Sequence, residues 1–408
     1  MKDTANTVME RCDLLANVSE EPGLIVRPYG SQAMNEANNI VAGWMRQAGM
    51  KTGRDEIGNL LGRYGGTGNR TLVLGSHLDT VRDAGRYDGI LGVLCAIACV
   101  QHLHNEGERL PFAIEVAAFA DEEGLRFGTT FLGSSVYAGR FDRKRLELED
   151  GDRVTLMEAV RAFGGDPFAL EVAGRDPEDL IGYCELHIEQ GPVLEDLDLP
   201  VGVVNAINGQ SRIGVDFTGR AGHAGTVPME NRRDALCAAS EFVLEARRCA
   251  RSEPPAVATV GEIKALPGAI NVVPGEARLS LDLRHPDDAV RERLRDHLQE
   301  KASEIAAANG CSQDWLLQQE TRAVPADPGF SDLLAGAIEE LGLPVHRLPS
   351  GAGHDAAEVA AIAPIAMLFV RCKGGISHNP AESVRREDVE VALKTLGRFI
   401  RKIAEVEA

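Results

Sequence analysis

The segment Thr71–Thr80 (TLVLGSHLDT) decides the fold, because a continuous apolar run leads directly into a polar loop. Its first four residues predict a short buried strand, and the loop that follows carries His77 and Asp79. The run Ala113–Phe119 predicts a second buried strand, which ends at the acidic residues 121–123. Sheets of α/β proteins bind their ligands at the carboxyl ends of such strands. The sequence therefore predicts a functional site along one edge of a sheet.

Helical patterns alternate with these strands. Ser31–Gly49 predicts a helix that begins with an N-capping serine and stops at a glycine, and Ile90–Leu103 predicts a second, buried helix. Later in the chain, Asp332–Leu341 predicts a helix and Ile365–Val370 predicts another strand. Strands that alternate with helices are typical of an α/β domain. We therefore expect an α/β domain whose loops converge on one edge of the sheet.

The order of predicted helices and strands changes in the central part of the chain. It predicts, in order, the strand Ile213–Phe217, the helix Asp234–Ala250, the strands Ala256–Ile263 and Ala277–Asp282, the helix Asp287–Asn309 and the strand Trp315–Gln319. This βαββαβ order is typical of a ferredoxin-like α+β domain. We therefore predict a smaller domain, residues 213–328, inserted into a larger domain formed by residues 1–212 and 329–408.

Composition excludes several classes of protein. The chain has 408 residues, enough for about two domains, and a formal net charge of −19. An acidic surface argues against a nucleic-acid partner, which requires a basic footprint. The polar, acidic segment Met1–Glu10 predicts neither a signal peptide nor a transit peptide, and the most apolar segment, Ile90–Val100, is too short to span a membrane. We expect a cytoplasmic protein without a membrane partner.

Two further features predict structure rather than chemistry. The eight cysteines include no CxxC pair, and Cys95 and Cys99 are spaced for packing on one helix, so we expect reduced thiols. The glycine-rich segment Gly65–Gly68 lacks the spacing and the lysine of a phosphate-binding loop. We interpret it as a hairpin turn.

The residues at the strand ends are those from which a metal centre can be built. His77 and Asp79 are two apart and face the same way in an extended backbone, so the carboxylate of Asp79 can orient the imidazole. Asp88 lies in a tight Tyr-Asp-Gly turn and has two oxygens with which to bridge two metals. Glu122 and Glu123 point to opposite sides if extended, so one can bind metal while the other accepts a proton from water.

Each of these patterns has a simpler interpretation when it is taken alone. A single loop histidine such as His77 is more often a surface or capping residue, and adjacent acids such as Glu122 and Glu123 usually form a solvated face. Here the acids follow a buried strand, where unpaired carboxylates are costly unless a cation receives them. The coincidence of several such positions favours a metal centre.

Two later motifs complete a resemblance to a known family. They are Leu186–Pro192 (LHIEQGP) and Gly374–Glu382 (GGISHNPAE). With the segment that begins at Gly75, they make nearly the whole chain resemble the dinuclear metallohydrolases that include aminoacylases and zinc carboxypeptidases. The chain most resembles the branch of allantoate amidohydrolases, N-carbamoyl-L-amino acid hydrolases and β-ureidopropionase. The HIEQG context points to this branch, because the peptidase branch has an acid where His187 stands.

The resemblance implies two divalent metal ions per subunit, Mn²⁺ or Zn²⁺, and an aminopeptidase-like catalytic domain built on a mixed sheet. The implied ligands are His77 and His187 for one ion, Glu123 and His378 for the other, and Asp88 as the bridge between them. Glu122 is implied as the general base that activates water and then carries the proton to the leaving nitrogen. The inserted domain is implied to act as a lid and to join two subunits into a homodimer.

The resemblance also implies a set of substrate-binding residues. His223 is implied to stabilise the oxyanion from the partner subunit, although a lone histidine in a glycine-rich loop is by default a turn residue. Asn271 and Arg284 resemble a carboxylate-binding pair, but a salt bridge from Arg284 to Asp282 or Asp287 is an equal alternative. Gln190 resembles a ligand of the ureido group.

His354, in the loop Gly351–Ala356 (GAGHDA), is expected to shape the substrate pocket. A structural interpretation remains open for this loop, with glycines for a tight turn and Asp355 as a helix N-cap.

The substrate prediction depends on resemblance at residues far from the metals. The segment Phe369–Gly375 (FVRCKGG) resembles the plant-like allantoate enzymes more than carbamoylases. We therefore expect a hydrolase of linear ureido C–N bonds, acting on a small substrate with a carboxylate. The favoured reaction converts allantoate to ureidoglycine, ammonia and CO₂ in purine degradation. N-carbamoyl-L-amino acid hydrolysis or a β-ureidopropionase activity is the alternative, and a peptidase or a metal-free binding protein is the competing class.

Overall fold

A computed structural model describes residues 2–408, and the chain divides into two units. Unit 1 comprises the described residues up to Asn205 together with Ala326–Leu348 and Gly353–Ala408. Unit 2 comprises Ala206–Pro325 and Pro349–Ala352. Within the part of the chain that is described, no helix is long and apolar enough to cross a membrane.

The helices are α1 (Lys2–Ala16), α2 (Gln32–Gln47), α3 (Ile90–Glu106), α4 (Leu132–Tyr137), α5 (Leu156–Ala162), α6 (Val193–Asp196), α7 (Ala235–Ser252), α8 (Asp288–Ala308), α9 (Pro328–Glu339), α10 (Ala356–Val359) and α11 (Arg386–Val406). The strands are β1 (Lys51–Arg54), β2 (Leu60–Tyr64), β3 (Thr71–His77), β4 (Ala113–Phe119), β5 (Leu180–Ile188), β6 (Val201–Ile207), β7 (Gly209–Thr218), β8 (Gly222–His223), β9 (Val257–Leu266), β10 (Val272–Val273), β11 (Glu276–His285), β12 (Ser312–Thr321), β13 (Val324–Pro325), β14 (Arg347–Ser350) and β15 (Ile365–Val370).

The large sheet is mixed, as the family resemblance implies. Its order is β1-β2-β4-β3-β5-β15-β6-β13, and β14 also pairs with β6. The four central strands β4, β3, β5 and β15 run parallel to one another, whereas β2 is antiparallel to β4 and β6 is antiparallel to β15. Parallel strands have their carboxyl ends on the same edge of a sheet, so the loops after these four strands can meet there.

The central strands form because both of their faces are covered. Every residue of β3, β4, β5 and β15 is buried, which is the pattern expected of a parallel sheet with helices on both sides. Helix α3 is apolar nearly all round its axis and is buried accordingly. Strand β3 continues three residues beyond the predicted Leu74, because its parallel register with β4 extends to the pair His77–Phe119.

The prediction of a hairpin turn at Gly65–Gly68 is wrong. The strands on either side of it, β2 and β3, are not neighbours, since β4 lies between them. The glycines serve a close backbone approach instead. A Cβ atom on Gly66 would lie 1.9 Å from the carbonyl oxygen of Phe112, and one on Gly68 would lie 2.1 Å from that of Pro111.

Unit 2 contains the predicted βαββαβ order in β7, α7, β9, β11, α8 and β12. These strands form an antiparallel sheet in the order β12-β7-β11-β9. Alternate residues of β7 and β11 are buried, so one face of the sheet packs on α7 and α8. Asp234 and Asp287 cap the two helices by accepting hydrogen bonds from backbone N–H groups of the first turn.

The cysteines are free in this structure, and Cys95 and Cys99 are buried in α3, as their spacing predicts.

A glycine in α3 brings this helix close to the strands that carry the predicted ligands. A Cβ atom on Gly92 would lie 2.1 Å from the carbonyl oxygen of Leu186 and 2.9 Å from Cβ of Ser76. We predict that Gly92→Ala lowers the free energy of unfolding by about 1–3 kcal/mol, because α3 must move away from β3 and β5. Gly43→Ala in α2 is the matched control, since only the end of the Arg46 side chain lies near that position.

The control variant should be neutral or more stable by up to about 1 kcal/mol, because alanine favours a helix. Urea unfolding followed by circular dichroism measures both variants. Equal stability of Gly92→Ala and the parent protein would contradict the close approach of α3.

Candidate functional site

The predicted metal ligands in unit 1 lie at one edge of the large sheet. His77 is the last residue of β3, and His187 is the penultimate residue of β5. Glu123 follows the end of β4, and His378 lies in the loop after β15. Asp88 directly precedes the glycine that begins α3. Residues separated by up to about three hundred positions therefore meet because four parallel strands end together.

The carboxylate of Asp88 is at the centre of this cluster. Its Oδ1 atom lies 3.0 Å from Nε2 of His187 and 3.4 Å from Nε2 of His77. Its Oδ2 atom lies 3.5 Å from Nε2 of His378, which in turn lies 3.2 Å from Oε1 of Glu123. One oxygen thus faces two histidines, and the other faces a histidine that also contacts a glutamate. The arrangement gives two groups of potential metal ligands that share Asp88.

A glycine allows the histidine ring to lie against the backbone. Gly89 has a φ of 70°, in the left-handed region that favours glycine. A Cβ atom at this position would lie 2.4 Å from Cε1 of His77. The Asp-Gly turn therefore places the Asp88 carboxylate beside the ring of His77.

The structure gives Asp79 more contacts than the sequence predicts. Nδ1 of His77 lies 3.6 Å from Oδ1 of Asp79 but only 3.1 Å from its backbone carbonyl oxygen. The two carboxylate oxygens accept hydrogen bonds from the backbone N–H groups of Glu122 and Glu123, each at 3.0 Å. Asp79 therefore holds the backbone of the two glutamates as well as lying beside the histidine.

The cluster has a buried side and an open side. The side chains of His77 and His187 are each 2% exposed, whereas that of His378 is 47% exposed. Glu122 is buried, and burial together with the charges of Glu123, Asp355 and Asp79 raises its pKa well above the ordinary value for a glutamate. This excess of buried negative charge is suited to divalent cations, and solvent can reach them from the side of His378.

Three side chains outside the predicted set of metal ligands contact Asp88. The hydroxyl of Ser377 and the amide Nε2 of Gln190 both donate to Oδ2, the latter at 2.7 Å. Glu382 accepts hydrogen bonds from the backbone N–H groups of Tyr87 and Asp88 at 2.7 and 3.2 Å, and from Ser377 at 3.2 Å. The position of Ser377 and Glu382 in the His378 motif was the only sequence signal that could have indicated them.

A buried polar layer lies beneath His187. Glu185, two residues earlier in β5, accepts hydrogen bonds from Ser76 Oγ at 3.1 Å and from the backbone N–H of Ala356 at 3.0 Å. His354 packs edge-on against His187, with ring centroids 4.6 Å apart. Burial and the neighbouring His187 lower the pKa of His354 well below its ordinary value, so its ring is neutral. The loop that carries His354 is thus tied to the ligand-bearing strand.

Arg371, part of the segment on which the substrate prediction depends, is a structural residue. Its guanidinium pairs with both carboxylate oxygens of Asp388 at 2.8 Å and with Asp198 at 2.6 Å. The pair with Asp388 is almost fully buried and ties the end of β15 to the first turn of α11. The donors of this arginine are therefore directed at carboxylates of the protein.

The remaining predicted substrate-binding residues lie in unit 2. His223 and Asn271 belong to neighbouring segments, since β8 pairs with β10 and the backbone N–H of Ala224 donates to the carbonyl oxygen of Asn271. Both residues are exposed. Arg284 donates to both carboxylate oxygens of Asp282, at 2.8 and 2.9 Å. The salt bridge that the sequence left open as an alternative is therefore present.

A mixed sheet that presents histidines and carboxylates around a shared aspartate defines a metal-dependent hydrolase of the α/β type. A model of the peptidase family M20/M25/M40 matches residues 73–402, and the chain belongs to this family. This match confirms the resemblance to the metallohydrolase family that the sequence motifs indicated.

Individual relatives share most of the chain. A protein from Oryza sativa subsp. japonica named probable allantoate deiminase is 40% identical, over 95% of this chain and 86% of that protein. An N-carbamoyl-L-amino acid amidohydrolase from Geobacillus stearothermophilus is 38% identical, over 96% of this chain and 97% of that protein. The crystal structure of an amidase of the hydantoinase/carbamoylase family from Burkholderia multivorans matches with a TM-score of 0.92 and 33% identity, over 98% of this chain and 97% of that one.

A substitution of Asp79 tests whether its carboxylate fixes the backbone of Glu122 and Glu123. In Asp79→Asn, one of the two backbone N–H groups loses its acceptor, and we expect the affinity for metal or the activity to fall by about 10–100-fold. Asp150→Asn is the matched control. Asp150 also accepts two backbone N–H hydrogen bonds, from Asp152 and Val154, but it lies outside the cluster.

Metal titration by calorimetry and steady-state kinetics measure both variants. Unchanged metal affinity and activity in Asp79→Asn would contradict this role for Asp79.

Proposed function

We propose that the protein hydrolyses a linear ureido C–N bond in a small substrate that carries a carboxylate, with allantoate as the favoured substrate. The observation that carries this proposal is the pair of ligand groups that share Asp88, with the buried Glu122 beside them. The names of the relatives support the same class of substrate, since they include allantoate deiminases and N-carbamoyl-L-amino acid amidohydrolases.

The residues present are suited to two divalent metal ions. His77, Asp88 and His187 would hold one ion, and Asp88, Glu123 and His378 would hold the other. Imidazole and carboxylate ligands suit both Zn²⁺ and Mn²⁺. Such ions would supply polarisation of the scissile carbonyl and would make a water molecule more acidic.

Glu122 is the proposed general base. Its backbone is held by Asp79, and its side chain is buried among groups that keep bulk water away. A carboxylate held beside the metal ligands is placed to accept a proton from a water that the ions would polarise. We assign to Glu122 the removal of a proton from water and its delivery to the leaving nitrogen.

Several polar residues are proposed to recognise the substrate. Gln190 and His354 border the cluster in unit 1, while His223, Asn271 and Arg284 lie in unit 2. Arg284 already pairs with Asp282, and its Nη1 atom donates to the carbonyl oxygen of Gly351. A substrate carboxylate would therefore have to use the two N–H groups that remain, one on each terminal nitrogen. We retain the proposal that residues 213–328 form a lid and dimerisation domain in a cytoplasmic homodimer.

N-carbamoyl-L-amino acid hydrolysis is the second candidate activity. The 38% identity to the Geobacillus stearothermophilus enzyme nearly equals the 40% identity to the rice protein. The structural role of Arg371 also removes one of the reasons for preferring allantoate. The two candidates share the metal cluster and the general base, so only the substrate distinguishes them.

A substrate panel tests the proposal. The protein is stripped with a chelator and reloaded with Mn²⁺ or Zn²⁺. It is then assayed for ammonia release from allantoate, N-carbamoyl-L-amino acids and β-ureidopropionate, and for release of free amino acids from a dipeptide. We expect activity only after reloading, with the highest kcat/KM for allantoate. Turnover of the carbamoyl amino acids in preference to allantoate would establish the second candidate. Hydrolysis of the dipeptide alone would overturn the ureido proposal.

The general base is tested by Glu122→Gln, which preserves the shape of the side chain and removes its basic oxygen. We expect kcat to fall by about 10²–10⁴-fold with the metal content unchanged. Glu115→Gln is the control, because Glu115 is also a buried carboxylate of unit 1 but pairs with Tyr137 and Arg175 instead of the cluster. Full activity in Glu122→Gln would rule out this base.

A further inference from the structure

A second group of metal-ligating side chains lies in unit 2, between helices α7 and α8. Glu245 and Cys249 are four residues apart on α7, so both lie on the same face of that helix. His297 lies on α8, which packs against α7 in the core of unit 2. The group therefore combines a carboxylate, a thiol and an imidazole from two facing helices.

The three side chains lie close together. Sγ of Cys249 lies 3.3 Å from Oε1 of Glu245, and Nε2 of His297 lies 3.9 Å from the same oxygen. One ligand atom from each of the three residues lies within 4.8 Å of the others. Ligand atoms around one tetrahedral zinc ion are a little under 4 Å apart, since metal–ligand distances are about 2.0–2.3 Å. Small side-chain rotations are enough to bring these atoms to that spacing.

Burial of the group suits a bound ion. Cys249 is buried, and the side chain of Glu245 is 16% exposed, so two of the ligands are held by the packing of unit 2. The side chain of His297 is 41% exposed, which leaves a path for the ion and room for a water ligand.

The charges around the group are compatible with a divalent cation. Arg248 pairs with both carboxylate oxygens of Glu245: its Nε atom donates to Oε2 at 2.8 Å and its Nη2 atom donates to Oε1 at 2.5 Å. A bound ion would replace Nη2 as the partner of Oε1, the oxygen that faces the thiol and the imidazole, while Oε2 keeps its contact with Nε. The side chain of Arg248 is 63% exposed, so water can solvate the displaced N–H groups. Lys301 is engaged by Glu304 at 2.6 Å. A carboxylate, a thiolate and a neutral imidazole would together neutralise the two positive charges of the ion.

We propose that Glu245, Cys249 and His297 form a binding site for a zinc-like divalent ion that links α7 to α8. Thiolate and imidazole ligands favour Zn²⁺ and Cd²⁺ over the harder Mn²⁺ or Mg²⁺. On binding, the S–H bond of Cys249 breaks, the sulfur bonds to the ion, and one proton is released to solvent. The free thiol holds this proton at neutral pH, because burial and the adjacent carboxylate raise its pKa to about 11. The site is independent of the proposed hydrolysis.

The test uses Cd²⁺ as the probe on protein whose catalytic cluster has been loaded with Mn²⁺. None of the predicted catalytic ligands is a cysteine, so an ultraviolet thiolate-to-cadmium charge-transfer band reports only on a site that contains sulfur. We expect the band to appear in the parent protein and to saturate at one Cd²⁺ per chain, and we expect Zn²⁺ to compete for the site. The band should be lost in Cys249→Ser.

Cys237→Ser is the matched control, because Cys237 is an exposed thiol on the same helix. This variant should keep the full band. His297→Gln changes a partly exposed residue without disturbing the core, and we expect its Cd²⁺ affinity to fall by at least about 10-fold. It also keeps the proposal testable if Cys249→Ser does not fold. Absence of the band in the parent protein, or an unchanged affinity in His297→Gln, would overturn the proposal.

Discussion

The rest of the candidate site depends on the position of one carboxylate. Asp88 lies at the start of α3, and its two oxygens face different sets of ligands, with His77 and His187 on one side and His378 on the other. A buried carboxylate among other acids is costly unless cations receive it. The fold supplies this arrangement by ending four parallel strands at one edge and by placing a glycine turn directly after Asp88.

Backbone hydrogen bonds hold this centre in place. Asp79 accepts hydrogen bonds from the backbone N–H groups of the two glutamates after β4, and Glu382 accepts them from the backbone N–H groups of Tyr87 and Asp88. In both cases, a carboxylate fixes the loop that carries a predicted ligand instead of fixing the ligand's side chain. Hydrogen bonds to charged acceptors are stronger than neutral ones, so these loops are held before any ion binds.

The sequence predicted much of the fold and the composition of the site. The strands Ala113–Phe119 and Ile365–Val370 match the structure end to end, and the βαββαβ order of unit 2 is present. The prediction failed at Gly65–Gly68, where strand order decides the outcome: β4 comes later in the chain but lies between β2 and β3. The sequence also contained no indication of the partners of Arg371, although it left the pair of Arg284 with Asp282 open as an alternative. Arg284 pairs with a residue two positions away, whereas Arg371 pairs with Asp198 from a distant segment.

The sequence by itself determined which segments are buried strands and helices and which residue types follow them, because hydrophobic periodicity and capping are local properties of the chain. The segment Thr71–Thr80 thus already predicted a buried strand followed by a loop that carries a histidine and an aspartate. Only the tertiary structure decided that Asp79 holds the glutamate backbone, that Ser377 and Gln190 share an oxygen of Asp88, and that Glu245, Cys249 and His297 meet. These contacts join residues that are close only because of strand order and helix packing. Neither can be inferred from a local sequence pattern.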